Sequence, residues 1–138
     1  SPDVVVGNLS KKKGGHSEPH KSHQSGRDAD IGYIHKKKYQ PVRSLIVTNK
    51  KNIDARKTWT LLKCFLDTED VNMILVDRKI QKVLHEHLVK RNFKGSYLKK
   101  IFQYTRKGKT KTLIWDSPGH HHHFHIRFKC PHGDRDCR

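Results

Sequence analysis

Strict alternation of apolar and polar residues near the C-terminus predicts a β-strand with two chemically different faces. Phe124, Ile126 and Phe128 alternate with His123 and His125. Side chains two positions apart on a strand point to the same face, so the two histidines project together while the apolar side chains face the core. Two imidazoles on one rigid face are typical of a metal site or an acid–base pair. A polar, solvent-facing sheet edge is the alternative.

The second part of the predicted site lies near the N-terminus, in the segment HKSHQSGRDADIGY. Asp28 and Asp30 share one face of a predicted strand, and His23 precedes them by a few residues. Two histidines and one carboxylate form a common zinc ligand set that leaves the fourth position open for water. The pattern does not select between the two aspartates, and an ordinary exposed strand face remains an alternative.

The remaining periodicity predicts an α+β fold: a small antiparallel sheet that carries the zinc site and is flanked by two or three helices. The length favours a single domain spanning residues 1–138. The first predicted helix runs from a cap at Asn52 or Asp54 to about Asp67, and the second begins at about Arg78. A short helical turn is predicted over residues 97–102. Short strands are predicted at residues 4–6, 45–47 and 73–76, of which the first is expected to be buried and the last to be central in the sheet.

The chain is strongly basic, with 30 Lys and Arg against 13 Asp and Glu and a formal charge of +17. Such a charge attracts nucleic acid, anionic wall polymers or acidic lipid, and it does not choose among them. A merely solvated surface is the other interpretation. No apolar run approaches the roughly 20 residues of a membrane span. No signal peptide is visible and Ser1-Pro2 is not a typical natural start, so a mature or trimmed product is expected.

The chain contains 3 cysteines. Cys64 lies in a helical apolar pattern, which predicts a buried free thiol. Cys130 and Cys137 bracket the segment CPHGDRDC, which contains Pro and Gly and is short enough for a small disulfide loop. Such a disulfide requires an oxidising compartment. A pair of reduced thiols is the alternative on spacing alone.

Several common catalytic motifs are absent from the sequence. It contains no His-Glu-x-x-His, no phosphate-binding P-loop, no Gly-x-Ser-x-Gly and no Cys-x-x-Cys.

The two segments of the predicted site together resemble the penicillin-insensitive murein endopeptidases, within a wider group of lysostaphin-type enzymes, D-Ala-D-Ala metallopeptidases and the hedgehog domain. SHQSGRDADI, residues 22–31, is similar to the family pattern Ser-His-Gln-x-Gly-x-Asp-x-Asp-Ile. GHHHHFHIRFKCP, residues 119–131, is similar to His-x-x-His-x-His-Val-Arg-Leu-x-Cys-Pro. The resemblance covers most of the chain and is weaker between the two motifs.

The resemblance implies a role for each matching residue. His23, Asp30 and His125 are implied to bind Zn²⁺, which selects Asp30 over Asp28. His123 is implied to act as the catalytic base, and His120 to assist at the transition state.

Further residues are expected around this centre. His20 matches a position that binds a second metal in some relatives, and Asp28 and Arg127 are expected to orient the ligands or close the site. Packing of the Arg127 stem on the strand face is the alternative for that residue. The family also implies a disulfide between Cys130 and Cys137.

The function implied by the resemblance is zinc-dependent hydrolysis of D,D cross-links in peptidoglycan, typically between D-Ala and diaminopimelate, in the periplasm or outside the cell. A D,D-carboxypeptidase with the same metal set is the first alternative. A basic nucleic-acid-binding protein or metal-dependent nuclease is less favoured, because the aromatic residues occupy apolar faces rather than a basic surface. The third alternative is a binding module that zinc stabilises and that has no catalytic activity. The sequence gives no oligomeric state.

Overall fold

The computed structural model describes residues 4–9, 26–104 and 112–133, which contain three α-helices and a five-stranded sheet. The helices are α1 (Ala55–Asp67), α2 (Arg78–Lys90) and α3 (Gly95–Ile101). The strands are β1 (Val6–Leu9), β2 (Asp28–Gly32), β3 (Val71–Val76), β4 (Ile114–Asp116) and β5 (His123–Phe128). The predicted α+β class is confirmed.

The sheet has the strand order β1-β2-β5-β3-β4, so the histidine-bearing strand β5 lies at its centre. Every neighbouring pair is antiparallel except β3 and β4, which run parallel. In this register His125 lies opposite Asp30 of β2 on one side and opposite Leu75 of β3 on the other. The pairing therefore brings the N-terminal aspartates to the C-terminal histidines.

Both long helices begin at an aspartate that accepts a hydrogen bond from the first turn. Asp54 accepts from the backbone N–H of Lys57 at 2.9 Å, and Asp77 accepts from that of Lys79 at 2.8 Å. Such caps satisfy backbone donors that have no partner within the helix. Of the two predicted caps for α1, Asp54 is the one used.

Helix α1 covers the apolar face of β5. The ring of Phe65 lies 6.3 Å from that of Phe124 and 6.1 Å from that of Phe128, both in edge-on contact. Phe124 and Ile126 are fully buried. Because these side chains turn toward the helices, the intervening His123 and His125 must lie on the opposite face, as the alternation predicts.

Replacement of Leu84 by alanine is expected to lower the free energy of unfolding by about 2–5 kcal/mol, because it leaves a cavity beneath α2. Leu84 is 0% exposed. Urea unfolding followed by circular dichroism measures the change. Val89→Ala in the same helix is the control, since Val89 is 51% exposed, and its effect should stay within about 0.5 kcal/mol. Equal losses in the two variants would contradict the assigned core.

Two predicted strands are wrong. Residues 4–6 were expected to be a buried strand, but β1 begins at Val6, and Val4 and Val6 are 43% and 52% exposed. Residues 45–47 form no strand, and Ile46 and Val47 are exposed. A run of three apolar residues is too short to define a periodicity, and in both places the chain lies at the margin of the sheet rather than inside it.

Cys64 is a free cysteine, as predicted, but it is exposed rather than buried. It lies two positions after the fully buried Leu62, which places it about 200° around the helix from the buried stripe.

Strand β4 was not predicted, and the short turn expected at residues 97–102 is the helix α3. The sequence also predicts a polar loop at residues 11–24 and a basic loop at residues 106–112. The first loop, and all of the second except Thr112, lie outside the described residues. Among the described helices, none has the length and apolar character needed to cross a bilayer.

Candidate active site

The polar faces of β2 and β5 form one cluster of ionisable side chains. In the antiparallel register Asp28 lies opposite Arg127 and Asp30 lies opposite His125. Asp28, Asp30 and His125 are 3%, 1% and 3% exposed, so this face is buried although it is polar. Buried charged groups persist only when they are paired, which directs attention to their hydrogen bonds.

The imidazole of His125 lies between two carboxylates. Its Nδ1 donates to Oδ1 of Asp30 at 3.1 Å, and its Nε2 donates to Oδ1 of Asp28 at 2.8 Å. Burial lowers the pKa of His125, but these two hydrogen bonds outweigh it and raise the pKa to about 9. The ring therefore carries a proton on both nitrogens at neutral pH in the metal-free protein.

Asp28 is also held by Arg127. The guanidinium donates from Nε to Oδ1 at 2.8 Å and from Nη2 to Oδ2 at 3.2 Å, a two-pronged contact with a fixed geometry. Burial raises the pKa of Asp28, but the hydrogen bonds from His125 and Arg127 outweigh it and keep the pKa below its ordinary value. Asp28 therefore remains a carboxylate and holds the Nε2 edge of His125 in place.

His123 occupies the same face of β5 as His125. Its Nε2 lies 3.6 Å from Oδ1 of Asp30, beyond hydrogen-bond distance. Its Nδ1 is buried and meets no hydrogen-bond partner within the described ranges. Burial lowers the pKa of His123 to about 4, against the opposing effect of the Asp30 carboxylate. The ring is thus neutral at pH 7 and able to accept a proton.

His120 completes the group of imidazoles. Its ring centroid lies 5.2 Å from that of His123 and 6.2 Å from that of His125. The loop that carries it is fixed by Tyr33, whose buried hydroxyl donates to the carbonyl oxygen of His120 at 2.6 Å. The backbone N–H of Thr48 likewise donates to the carbonyl oxygen of His121 at 2.8 Å. The rings of His120, His123 and His125 therefore lie within one small volume.

Tyr33 and Thr48 were not predicted to serve this site. Tyr33 directly follows β2 and continues the apolar alternation of Ala29 and Ile31, and its ring lies on the core side, at 5.8 Å from that of Phe124. A buried tyrosine hydroxyl requires a hydrogen-bond partner, and that requirement was the available signal. The sequence contains no indication of which carbonyl would meet it.

The donor atoms of Asp30 and His125 fit a zinc ion. Oδ1 of Asp30 and Nδ1 of His125 are 3.1 Å apart, close to the separation of about 3.4 Å expected for two ligands of a tetrahedral zinc at about 2.1 Å. The other ring nitrogen of His125, Nε2, is hydrogen-bonded to Oδ1 of Asp28 at 2.8 Å. A carboxylate on the far nitrogen is the usual arrangement of a metal-binding histidine.

The rest of the predicted metal site lies outside the described residues. His23, the third predicted ligand, and His20, the predicted contact for a second metal, both fall in the segment 10–25. Within the described part of the chain, no three side chains of His, Cys, Asp or Glu converge on one metal position. Zinc binding by His23, Asp30 and His125 therefore remains a prediction. So does the disulfide from Cys130, because Cys137 also lies outside the described residues.

Comparison with known proteins identifies the family. The sequence model described as "Penicillin-insensitive murein endopeptidase" matches residues 1–138. No curated protein matches the chain. The match spans both motif segments and all five strands that form or support the cluster of aspartates and histidines. The chain therefore belongs to the penicillin-insensitive murein endopeptidase family.

Proposed function

We propose that this protein is a zinc-dependent endopeptidase that hydrolyses D,D cross-links of peptidoglycan, between D-Ala and diaminopimelate, in the periplasm or outside the cell. The main support is the convergence on one carboxylate oxygen. Nδ1 of His125 and Nε2 of His123 approach Oδ1 of Asp30 to 3.1 and 3.6 Å. A ligand pair and a neutral base thus face the same point, which is the arrangement that metal-assisted hydrolysis requires.

In this proposal Asp30 and His125 would hold zinc through the facing Oδ1 and Nδ1 atoms, with His23 as the third protein ligand. The chemistry that a bound zinc ion would supply there is polarisation of the scissile amide carbonyl and acidification of the attacking water. Asp28 keeps the ring of His125 oriented through its 2.8 Å contact with Nε2. Arg127 in turn holds Asp28, so the orientation is set by a chain of buried contacts.

His123 is the general base in this mechanism. It accepts the proton of the attacking water and passes it to the leaving amine, two transfers that a neutral imidazole can perform in sequence. His120, whose ring is 5.2 Å from that of His123, stabilises the negative charge that develops on the amide oxygen. The hydrogen bond from Tyr33 to the backbone of His120 holds this ring in position.

The charge of the chain agrees with an anionic wall as substrate. The formal charge of +17 favours association with carboxylates of peptide stems or with phosphate polymers, and this association weakens with salt. The lysine-rich segments 11–13, 36–38 and 107–111 are proposed to contribute. A disulfide between Cys130 and Cys137 is proposed too, and it would match an oxidising compartment outside the cytoplasm.

Digestion of purified peptidoglycan, with and without a chelator, tests the proposed activity. Mass spectrometry should find cross-linked dimers converted to monomers, no conversion with the chelator, and recovery when zinc is added back. Release of free D-alanine without loss of dimers would instead indicate a carboxypeptidase. Degradation of plasmid DNA, with no action on the wall, would indicate a nuclease.

Asp28→Asn is expected to weaken zinc binding or lower activity by about 10- to 100-fold, because the carboxylate that orients a metal-binding histidine is lost. The amide keeps the size of the side chain, so the effect reports on charge and hydrogen bonding. Competition with a chromogenic chelator measures zinc affinity. Asp67→Asn serves as the control, because Asp67 pairs with Lys63 on the exposed surface of α1. Unchanged zinc affinity and activity in Asp28→Asn would remove Asp28 from the proposed site.

A further inference from the structure

A groove lies beside the candidate active site, between helix α2 and the loop at residues 47–50. Its volume is about 850 Å³. Its lining includes the following side chains: Val47, Lys50, Lys79, Lys82, Val83 and His121. None of these residues has a role in the mechanism above.

The groove is joined to the site by the backbone. Thr48 and His121 both line it, and the N–H of Thr48 donates to the carbonyl oxygen of His121 at 2.8 Å. His121 directly follows His120, the proposed oxyanion-stabilising residue. The other wall begins at Asp77, which directly follows the last residue of β3, the strand paired with β5. One end of the groove is therefore lined by the residue that directly follows His120 in the chain.

The groove combines an apolar floor with a cationic rim. Ile80 is buried, Val83 is half-buried and Val47 is 54% exposed. Lys50, Lys79 and Lys82 are exposed above them.

The charge of the rim is available to a ligand. In the described ranges the three rim lysines form no ion pair, whereas Lys63 and Arg78 do. The groove also contains two acids, Asp77 and Glu86. Asp77 already accepts the backbone N–H of Lys79 at 2.8 Å, and Glu86 lies more than two turns further along α2. With three lysines and two acids, the lining carries a net positive charge.

The length of the groove matches a short extended peptide. Its helical wall runs from Asp77 to Glu86, which corresponds to about 13.5 Å at the rise of an α-helix. An extended chain covers about 3.3–3.6 Å per residue, so this wall accommodates about four residues. Apolar contacts below and ammonium groups above suit a peptide that has small apolar side chains and free carboxylates.

We propose that this groove binds the acidic stem peptide of peptidoglycan, with Lys79, Lys82 and Lys50 paired to its carboxylates. The proposal rests on the proposed function, since it assigns a place to the substrate of that site. In this proposal the three lysines contribute to substrate affinity and take no part in cleavage of the amide bond. Their loss should therefore raise KM and leave kcat nearly unchanged.

The double variant Lys79→Gln/Lys82→Gln tests this assignment with a soluble cross-linked muropeptide dimer as substrate. Exposed ion pairs contribute about 0.2–1 kcal/mol each, so loss of two should raise KM by about 2- to 30-fold. The value of kcat should change less than about twofold. Lys99→Gln/Lys100→Gln is the matched control, because it removes the same charge from exposed positions on α3. Equal KM values in both double variants would overturn the proposal.

A binding measurement separates this proposal from the proposed function. The zinc-loaded protein is titrated with the tetrapeptide Ala–Glu–diaminopimelate–Ala and with its amidated form, while methyl NMR signals of Val47, Ile80 and Val83 are recorded. We expect these signals to shift with the acidic peptide, and the amidated peptide to bind at least about fivefold more weakly. Shifts without any hydrolysis of cross-links would leave the groove assigned and reject the endopeptidase. Hydrolysis of cross-links without shifts at these methyl groups would reject the groove alone.

Discussion

Asp30→Asn is expected to abolish zinc binding and to lower peptidoglycan hydrolysis by about 1000-fold or more. Loss of a catalytic metal removes several kcal/mol of transition-state stabilisation, and about 4 kcal/mol corresponds to a factor of about 1000. Asp30 is the central side chain of the cluster, since its Oδ1 faces both His125 and His123. The amide has nearly the same volume as the carboxylate, so the variant tests metal binding with little change in packing.

Metal analysis of the purified variant, expressed as zinc per chain, is the primary measurement. Residual activity on purified peptidoglycan is the second. Asp67→Asn, on the exposed surface of α1, should retain full zinc and full activity. If Asp30→Asn retained zinc and hydrolysis, the proposed metal site would be wrong even though the family assignment would stand.

His125→Ala is a less selective test of the same site. It removes the ring that both Asp28 and Asp30 contact, and it leaves two buried carboxylates without that partner. Breaking a buried charged pair from one side costs about 3–5 kcal/mol of stability. Loss of activity in this variant therefore has to be interpreted together with a thermal unfolding curve.

His123→Ala is expected to lower the rate of hydrolysis by about 100- to 10,000-fold while the zinc content stays unchanged. In the proposed mechanism His123 moves the proton but does not bind the metal. Its Nδ1 has no hydrogen-bond partner within the described residues, so removal of the ring breaks no hydrogen bond between that atom and this part of the chain. The melting temperature should consequently change little.

The appropriate control is His122→Ala, the neighbouring histidine of the same run, whose ring is tilted against that of His121 with the ring centroids 4.1 Å apart. It should retain both zinc and activity. Normal hydrolysis by His123→Ala would exclude His123 as the base. Unchanged zinc content together with lost hydrolysis would exclude a zinc-stabilised binding module, because such a module needs no base.

Much of the fold could be predicted because its signals are local. The alternation from His123 to Phe128 predicted β5 and its two faces, and the two candidate caps, Asn52 and Asp54, predicted the start of α1 to within two residues. The strand predictions that relied on runs of only three apolar residues were wrong. Residues 45–47 form no strand, and the predicted burial of Cys64 was wrong because its position on the helix lies away from the core.

In the candidate site, too, the contacts within one strand could be predicted from the sequence and the contacts between strands could not. Alternation along each strand is enough to place Asp28 with Asp30, and His123 with His125. It does not determine that Asp28 contacts the far nitrogen of His125, nor that Arg127 holds Asp28 in turn. Nor does it indicate that the backbone carbonyls in the histidine run accept hydrogen bonds from a tyrosine hydroxyl and a threonine N–H.

The sequence by itself determined which residues share a face of a strand or a helix, because those relations depend only on the repeat of the backbone over a few residues. The tertiary structure alone decided how the two halves of the site meet. Asp30 and His125 are 95 positions apart, and only the antiparallel pairing of β2 with β5 sets their register. Burial then strengthens those hydrogen bonds, because water no longer competes for the carboxylates and imidazoles of this face.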